Sequence, residues 1–159
     1  MVAAMRFEGD SVIQAPREQV WRFLTDPHSV GRCAPGLESL EIVEPGKRFS
    51  AIVSVGFGAI KARFENQAEW LELDPPSRAK MKVHGKAPGS AVDVISEMKL
   101  SDVGDGATAL HWSAEVTIVG AIANLAARLM GGVTQRMTAA FFDCVKQQIE
   151  KREKRGQVI

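Results

Sequence analysis

The run VIQAPREQVWRFLTDPHSVGRCAPG, from Val12 to Gly36, constrains the fold more than any other part of the chain. It holds two helix starts and two helix stops with almost no linker between them. Pro16 fits the first position of a helix, where a missing N–H leaves nothing unsatisfied. Val20, Trp21 and Leu24 then form an apolar stripe at helical spacing. Asp26-Pro27 ends that helix and begins a second, with Asp26 at the N-cap and Pro27 at N1. Ala34-Pro35-Gly36 stops the second helix. A strand precedes the pair and many strands follow it. The pair therefore makes a V-shaped clasp, suited to holding the open end of a strongly curved sheet around a hollow.

The flanking segments alternate with a period of two. Met5 to Gln14 reads as the first strand, with Phe7, Val12 and Ile13 apolar. Leu37 to Glu44 is strand-like and ends at a Pro45-Gly46 turn. Arg48 to Ile60 places Phe49, Ala51, Val53, Val55 and Phe57 on one face. Lys61 to Leu73 places Ala62, Phe64, Ala68 and Trp70 on one face and charged residues on the other. Asp74 to Ser77 is a turn. Ala79, Met81 and Val83 face one way on the next strand, and Val92, Val94, Met98 and Leu100 on the one after it. Gly104-Asp105-Gly106 is a hairpin signal. Leu110, Trp112, Ala114, Val116 and Ile118 share a face of the last strand.

After Gly120 the period becomes helical. Ile122, Leu125, Leu129, Val133, Met137, Phe141, Cys144, Val145 and Ile149 form one long stripe. Gly131-Gly132 weakens that helix by roughly 1 kcal/mol per glycine relative to alanine and marks a place for a kink or a close ligand approach. An antiparallel sheet must cover its apolar face, and one long helix is available to do it. The expected fold is α+β: a helix grip, in which a curved antiparallel sheet of six or seven strands wraps a long C-terminal helix. Nothing divides the 159 residues, so one domain spans 1–159, frayed at its end.

Composition removes several functions. The formal net charge is +1, which argues against nucleic acid as a partner. The N-terminus lacks the apolar core of a signal peptide, and no apolar run is long enough to span a bilayer. Two cysteines make no disulfide framework and fit a reducing compartment. The expectation is a cytoplasmic protein. The basic end, Lys146, Lys151, Arg152, Lys154 and Arg155, is interspersed with Glu150 and Glu153. It reads as a solvated helix end favoured by the dipole more than as a docking patch for anionic lipid.

Phe7 and Gly9, then AP-x-E-x-VW-x-FL-x-DP from Ala15 to Pro27, then C-x-PG from Cys33 to Gly36, resemble the carbon monoxide dehydrogenase CoxG family of the START-like (SRPBCC) superfamily. The likeness resumes at WSAEVTIVG-x-IA-x-LAARLM and at Phe141-Phe142. It covers most of the chain. The resemblance implies a helix-grip fold with an apolar cavity. It also implies an accessory role beside a molybdenum-containing dehydrogenase of the carbon monoxide type, including its recruitment to the membrane and the handling of respiratory quinone. Some members carry a C-terminal extension that contacts membrane. This chain ends at Ile159, so peripheral contact at the inner membrane face would rest on the domain surface or a partner.

The residues themselves offer a pocket more readily than a reaction. His28, His84 and His111 are far apart and lack metal-ligand spacing. His84 and His111 fall on the polar parity of their strands, and His28 faces either solvent or the cavity mouth. Cys33 stands at the end of a short helix, where the dipole disfavours a thiolate while Arg32 favours one, and it reads as a packed small residue. Cys144 reads as core. Asp93, Glu97 and Glu115 lie opposite the apolar faces of their strands, so no catalytic residue, metal or required cofactor is assigned. The candidate ligand-lining set is Phe57, Phe64, Trp70, Met81, Met98, Trp112, Leu129, Val133, Met137 and Phe141, around a quinone or another lipophile. Trp70 or Trp112 could donate an indole N–H to a ring carbonyl. Two rivals remain: a polyketide cyclase or dehydratase-like enzyme on the same fold, and an assembly factor whose cavity is incidental.

Overall fold

A computed structural model describes residues 2–57 and 59–157; the side chains of 57, 60, 129, 130 and 152–157 lie outside the description. The order is β1 (Val2–Ile13), α1 (Arg17–Thr25), α2 (Pro27–Gly31), β2 (Leu37–Glu44), β3 (Arg48–Phe57), β4 (Ile60–Asp74), β5 (Arg78–Ala87), β6 (Ser90–Asp102), β7 (Thr108–Gly120) and α3 (Ala123–Gln157). The seven strands form one antiparallel sheet in the order β1-β7-β6-β5-β4-β3-β2. Consecutive strands pair through hairpins except at β1, which joins β7 after the clasp has carried the chain to the far edge. The predicted helix grip is the fold.

The strand limits differ modestly from those expected of the sequence. β1 starts at Val2 and ends at Ile13 rather than running from Met5 to Gln14. The β3–β4 hairpin turns between Phe57 and Ile60. Pro16 is not the first helical residue but the N-cap of α1, with extended φ −60° and ψ 149°. Its carbonyl accepts from the Gln19 and Val20 N–H groups, so it opens the helix while staying outside it. α1 is anchored from the sheet: the buried Thr108 hydroxyl on β7 donates to the Ala15 carbonyl at 2.8 Å. At α2 the expected cap is present. The Asp26 carboxylate accepts from the Ser29 hydroxyl at 2.7 Å and from the His28 N–H at 3.3 Å, with Pro27 behind it. These bonds hold the Asp26 carboxyl below its ordinary range, the Ser29 hydroxyl most of all. Gly36, at φ +79°, lets the clasp turn directly into β2 alongside β3, whose Ser54 N–H donates to the Gly36 carbonyl at 2.9 Å.

α3 runs through Gly131-Gly132 as one continuous helix from Ala123 to Gln157. It packs mainly against β1, β3 and β7. The helix thus bridges the two sides of the curved sheet and passes over β4–β6. Two buried clusters result. One, at the clasp end, joins Ile13, Val20, Trp21, Phe23 and Leu24 to Leu100, Leu110, Val145 and Ile149. The other joins Ala3, Ala62, Phe64 and Ile118 to Ala123, Ala126 and Val133.

The cysteines require a correction. They are not two separate thiols: Cys33 and Cys144 are joined by a disulfide, with Cα atoms 5.4 Å apart and a sequence separation of 111. The bond ties the end of the clasp to α3. Judged by its own neighbours, each cysteine looks like a packed small residue. Only the docking of α3 against the clasp brings them together.

Candidate functional site

Between the sheet and α3 lies a cavity of about 640 Å³, inside the range of small-molecule sites. Its walls follow from parity. On β3 the side chains of Phe49, Ala51, Val53 and Val55 face it; on β4, Phe64, Asn66, Ala68 and Trp70; on β5, Ala79, Met81 and Val83. β6 adds Val92, Val94, Ser96 and Met98, and β7 adds Trp112, Ala114 and Val116. α3 closes the cavity with Val133, Met137, Thr138, Phe141 and Phe142. The clasp supplies Leu24, Pro27, Val30, Ala34 and Pro35 at one end.

Of the residues expected from sequence, Phe64, Trp70, Met81, Met98, Trp112, Val133, Met137 and Phe141 come together around this space. The side chains of Phe57 and Leu129 lie outside the described residues. Trp112 is fixed from two sides. Its ring stacks on Phe142 with centroids 6.2 Å apart, and Phe142 meets Phe141 edge-on at 5.1 Å. Its Nε1 lies over Gly9 of β1, 2.8 Å from where a Cβ would stand. Gly9 is thus a seat for the indole, because any side chain there would displace it.

Four uncharged polar residues in the wall are not foreseen from the sequence: Asn66, Ser96, Ser113 and Thr138. Asn66 carries a usable signal, since it shares the parity of Phe64 and Ala68 on β4. Its Nδ2 donates to the carbonyls of Ala51 and Phe64, each at 3.2 Å. Its Oδ1 lies over Gly85, the residue paired with it across β5, in space that a Cβ on Gly85 would take.

The charged groups stay on the outer face, as their parity predicts. Glu97 borders the cavity, but Arg78 donates to its carboxylate at 2.9 Å and Lys99 lies at 3.5 Å. The Arg78 hydrogen bond, above all, holds Glu97 below the usual carboxylate range, so at neutral pH it is an anion. His84 pairs with Asp93 at 2.6 Å and His111 with Asp10 at 2.8 Å, both away from the cavity. His28 is exposed, which resolves its two orientations toward solvent. Among the described residues, no three His, Cys, Asp or Glu side chains gather closely enough to hold a metal ion. Nor, among those residues, is any helix long and apolar enough to cross a membrane.

The family model for CoxG, one of the subunits of carbon monoxide dehydrogenase, matches residues 9–150. No curated protein matches the chain in sequence. Among solved structures, a conserved protein from Geobacillus kaustophilus superposes with a TM-score of 0.84 at 25% identity, over 92% of this chain and 96% of that one. The Zhui aromatase/cyclase from Streptomyces sp. R1128 gives a TM-score of 0.74 at 18% identity, over 94% and 96% of the two chains. A Thalictrum norcoclaurine synthase gives 0.66 at 13% identity, over 96% and 98%. At such identities the two enzymes share the START-like fold with this chain, and the likeness extends no further.

Proposed function

The chain belongs to the carbon monoxide dehydrogenase CoxG family, and we propose that it holds a lipophilic small molecule, a prenylated respiratory quinone, between its sheet and α3. The observation that carries this reading is the 640 Å³ space walled almost wholly by aliphatic and aromatic side chains. Removing apolar ligand surface from water there is worth roughly 2.5 kcal/mol per 100 Å². A few isoprenoid units therefore offset the cost of immobilising the guest. In this role the protein serves a carbon monoxide dehydrogenase, the enzyme in the family's name, and brings that molybdenum-containing enzyme and quinone together at the inner membrane face.

The wall argues for carriage over catalysis. Its polar side chains are an amide, hydroxyls and a carboxylate already engaged by Arg78. A general acid needs a proton to give at working pH, and Glu97 has lost its own. The test is direct. Native mass spectrometry of purified protein, and titration with a short-chain quinone followed by Trp70 and Trp112 fluorescence, should show one bound lipophile and saturable quenching. Protein that carries no lipophile and ignores added quinone overturns the proposal.

A further inference from the structure

We infer that the cavity prefers the reduced, hydroquinone form of an aromatic ring to the oxidised quinone, with Asn66 as the residue that distinguishes them. This rests on the proposed lipophile-binding function and sharpens it. The argument begins with the amide. Two backbone carbonyls, of Ala51 and Phe64, each receive the Asn66 Nδ2 at 3.2 Å. Carbonyls only accept, so they fix which end of the amide is nitrogen. Oδ1 is thereby turned the other way, over Gly85, and has no hydrogen-bond partner among the described residues. Asn66 thus presents the cavity with a rigidly held acceptor and spends both donor hydrogens on its own sheet.

Its surroundings make that acceptor decisive. Across the sheet its row is Ala51, Asn66, Gly85, Val92, Ile118 and Ala3. No other side chain in that row can donate a hydrogen bond. The hydroxyls of Ser96, Ser113 and Thr138 donate or accept equally and do not discriminate, and the Trp70 indole stands four residues along β4 from Asn66, roughly 13 Å away. Ser96 lies four residues along β6 from Val92, roughly 13 Å away at strand spacing. The indole donor of Trp112 is seated over Gly9, on the β1 side. A ring entering this part of the cavity with an O–H gains a partner. A ring entering with C=O brings a second acceptor against the first, and both lose their water.

The test uses redox-stable probes: 1-naphthol, its methyl ether and 1,4-naphthoquinone, titrated by tryptophan fluorescence or calorimetry. The naphthol should bind about 3- to 10-fold more tightly than either of the others. Asn66→Leu should erase that ratio and leave the affinity for the ether within twofold. Should the leucine variant misfold, the wild-type ratio alone decides. Equal binding of all three probes, or tighter binding of the quinone, overturns the preference while leaving the lipophile site in place. Failure of all three, and of a prenylated quinone as well, removes the site and the preference together. As a second readout, a tenfold preference shifts the midpoint potential of the bound naphthoquinone couple upward by about 30 mV. A bound couple with the potential of the free one contradicts the inference.

Discussion

Around Ile13, Val20, Phe23, Leu110, Val145 and Ile149 the inner face of the sheet is solid, each of these residues being 2% exposed or less. From Phe49 to Val55 on β3, and across Met81 and Val94, the same inward parity looks onto open space. Hydrophobic alternation is equally clean in both regions. The difference lies in what arrives from the other side. At the clasp end, α1 and the C-terminal turns of α3 press side chains into the sheet. In the middle, α3 bridges from β3 to β1 and β7, and the rows beneath it hold Ala51, Ala68, Gly85, Val83 and Val94. Small residues under a bridging helix make a hollow; large residues under a docked clasp make a core.

The contrast can be broken most severely at the disulfide, which lies on the solid side. Replacing Cys33 and Cys144 together with serine releases a 111-residue loop in the unfolded chain and should lower stability by about 4–5 kcal/mol on the chain-entropy account. Urea midpoints of the wild type with and without reductant measure this, and alkylation mass spectrometry checks that the bond is closed. Next comes Phe23→Ala, which should cost about 3–5 kcal/mol by urea unfolding because the site is fully packed. Ala114→Trp, on the cavity wall, should abolish quinone binding with a melting temperature close to wild type, since the ring enters empty space. If a dehydrogenase is still captured by that variant, partner binding does not depend on the cavity. Met81→Ala should cost only about 1 kcal/mol, because its side chain already borders a void. A penalty as large as that of Phe23→Ala would mean the two regions are alike.

The smallest effect is a pH dependence in the clasp. The Asp26 carboxyl is held below its ordinary value of 3.8 in the fold, chiefly by the Ser29 hydroxyl. A depressed carboxyl contributes stability above its unfolded value and loses it as pH falls through the folded one. Ser29→Ala should therefore lower the melting temperature at pH 6 and make a smaller difference at pH 3.

Much of this was legible in the chain because it depends on local order. Asp26-Pro27 specified a cap without reference to anything distant, and the strand parities named most of the cavity wall. The parts that were not legible depend on three-dimensional encounters. Pro16 sits one position outside the helix because Thr108, distant in sequence, holds Ala15 on the sheet. Cys33 and Cys144 become partners only when α3 crosses the clasp. A single polar residue on an apolar parity, as Asn66 is, looks like noise until its two carbonyl partners are in view.

The covalent thread between Cys33 and Cys144 also dictates where the molecule can gape. With the end of the clasp stitched to α3, the clasp cannot swing away as a lid while the thread is intact. The seam without such a stitch runs between Pro35-Gly36, the Ser54–Gly56 end of β3 and the Val133–Met137 stretch of α3, around a smaller void of about 270 Å³. A guest passing there would slip between strand and helix, with Arg136 at the edge of its path.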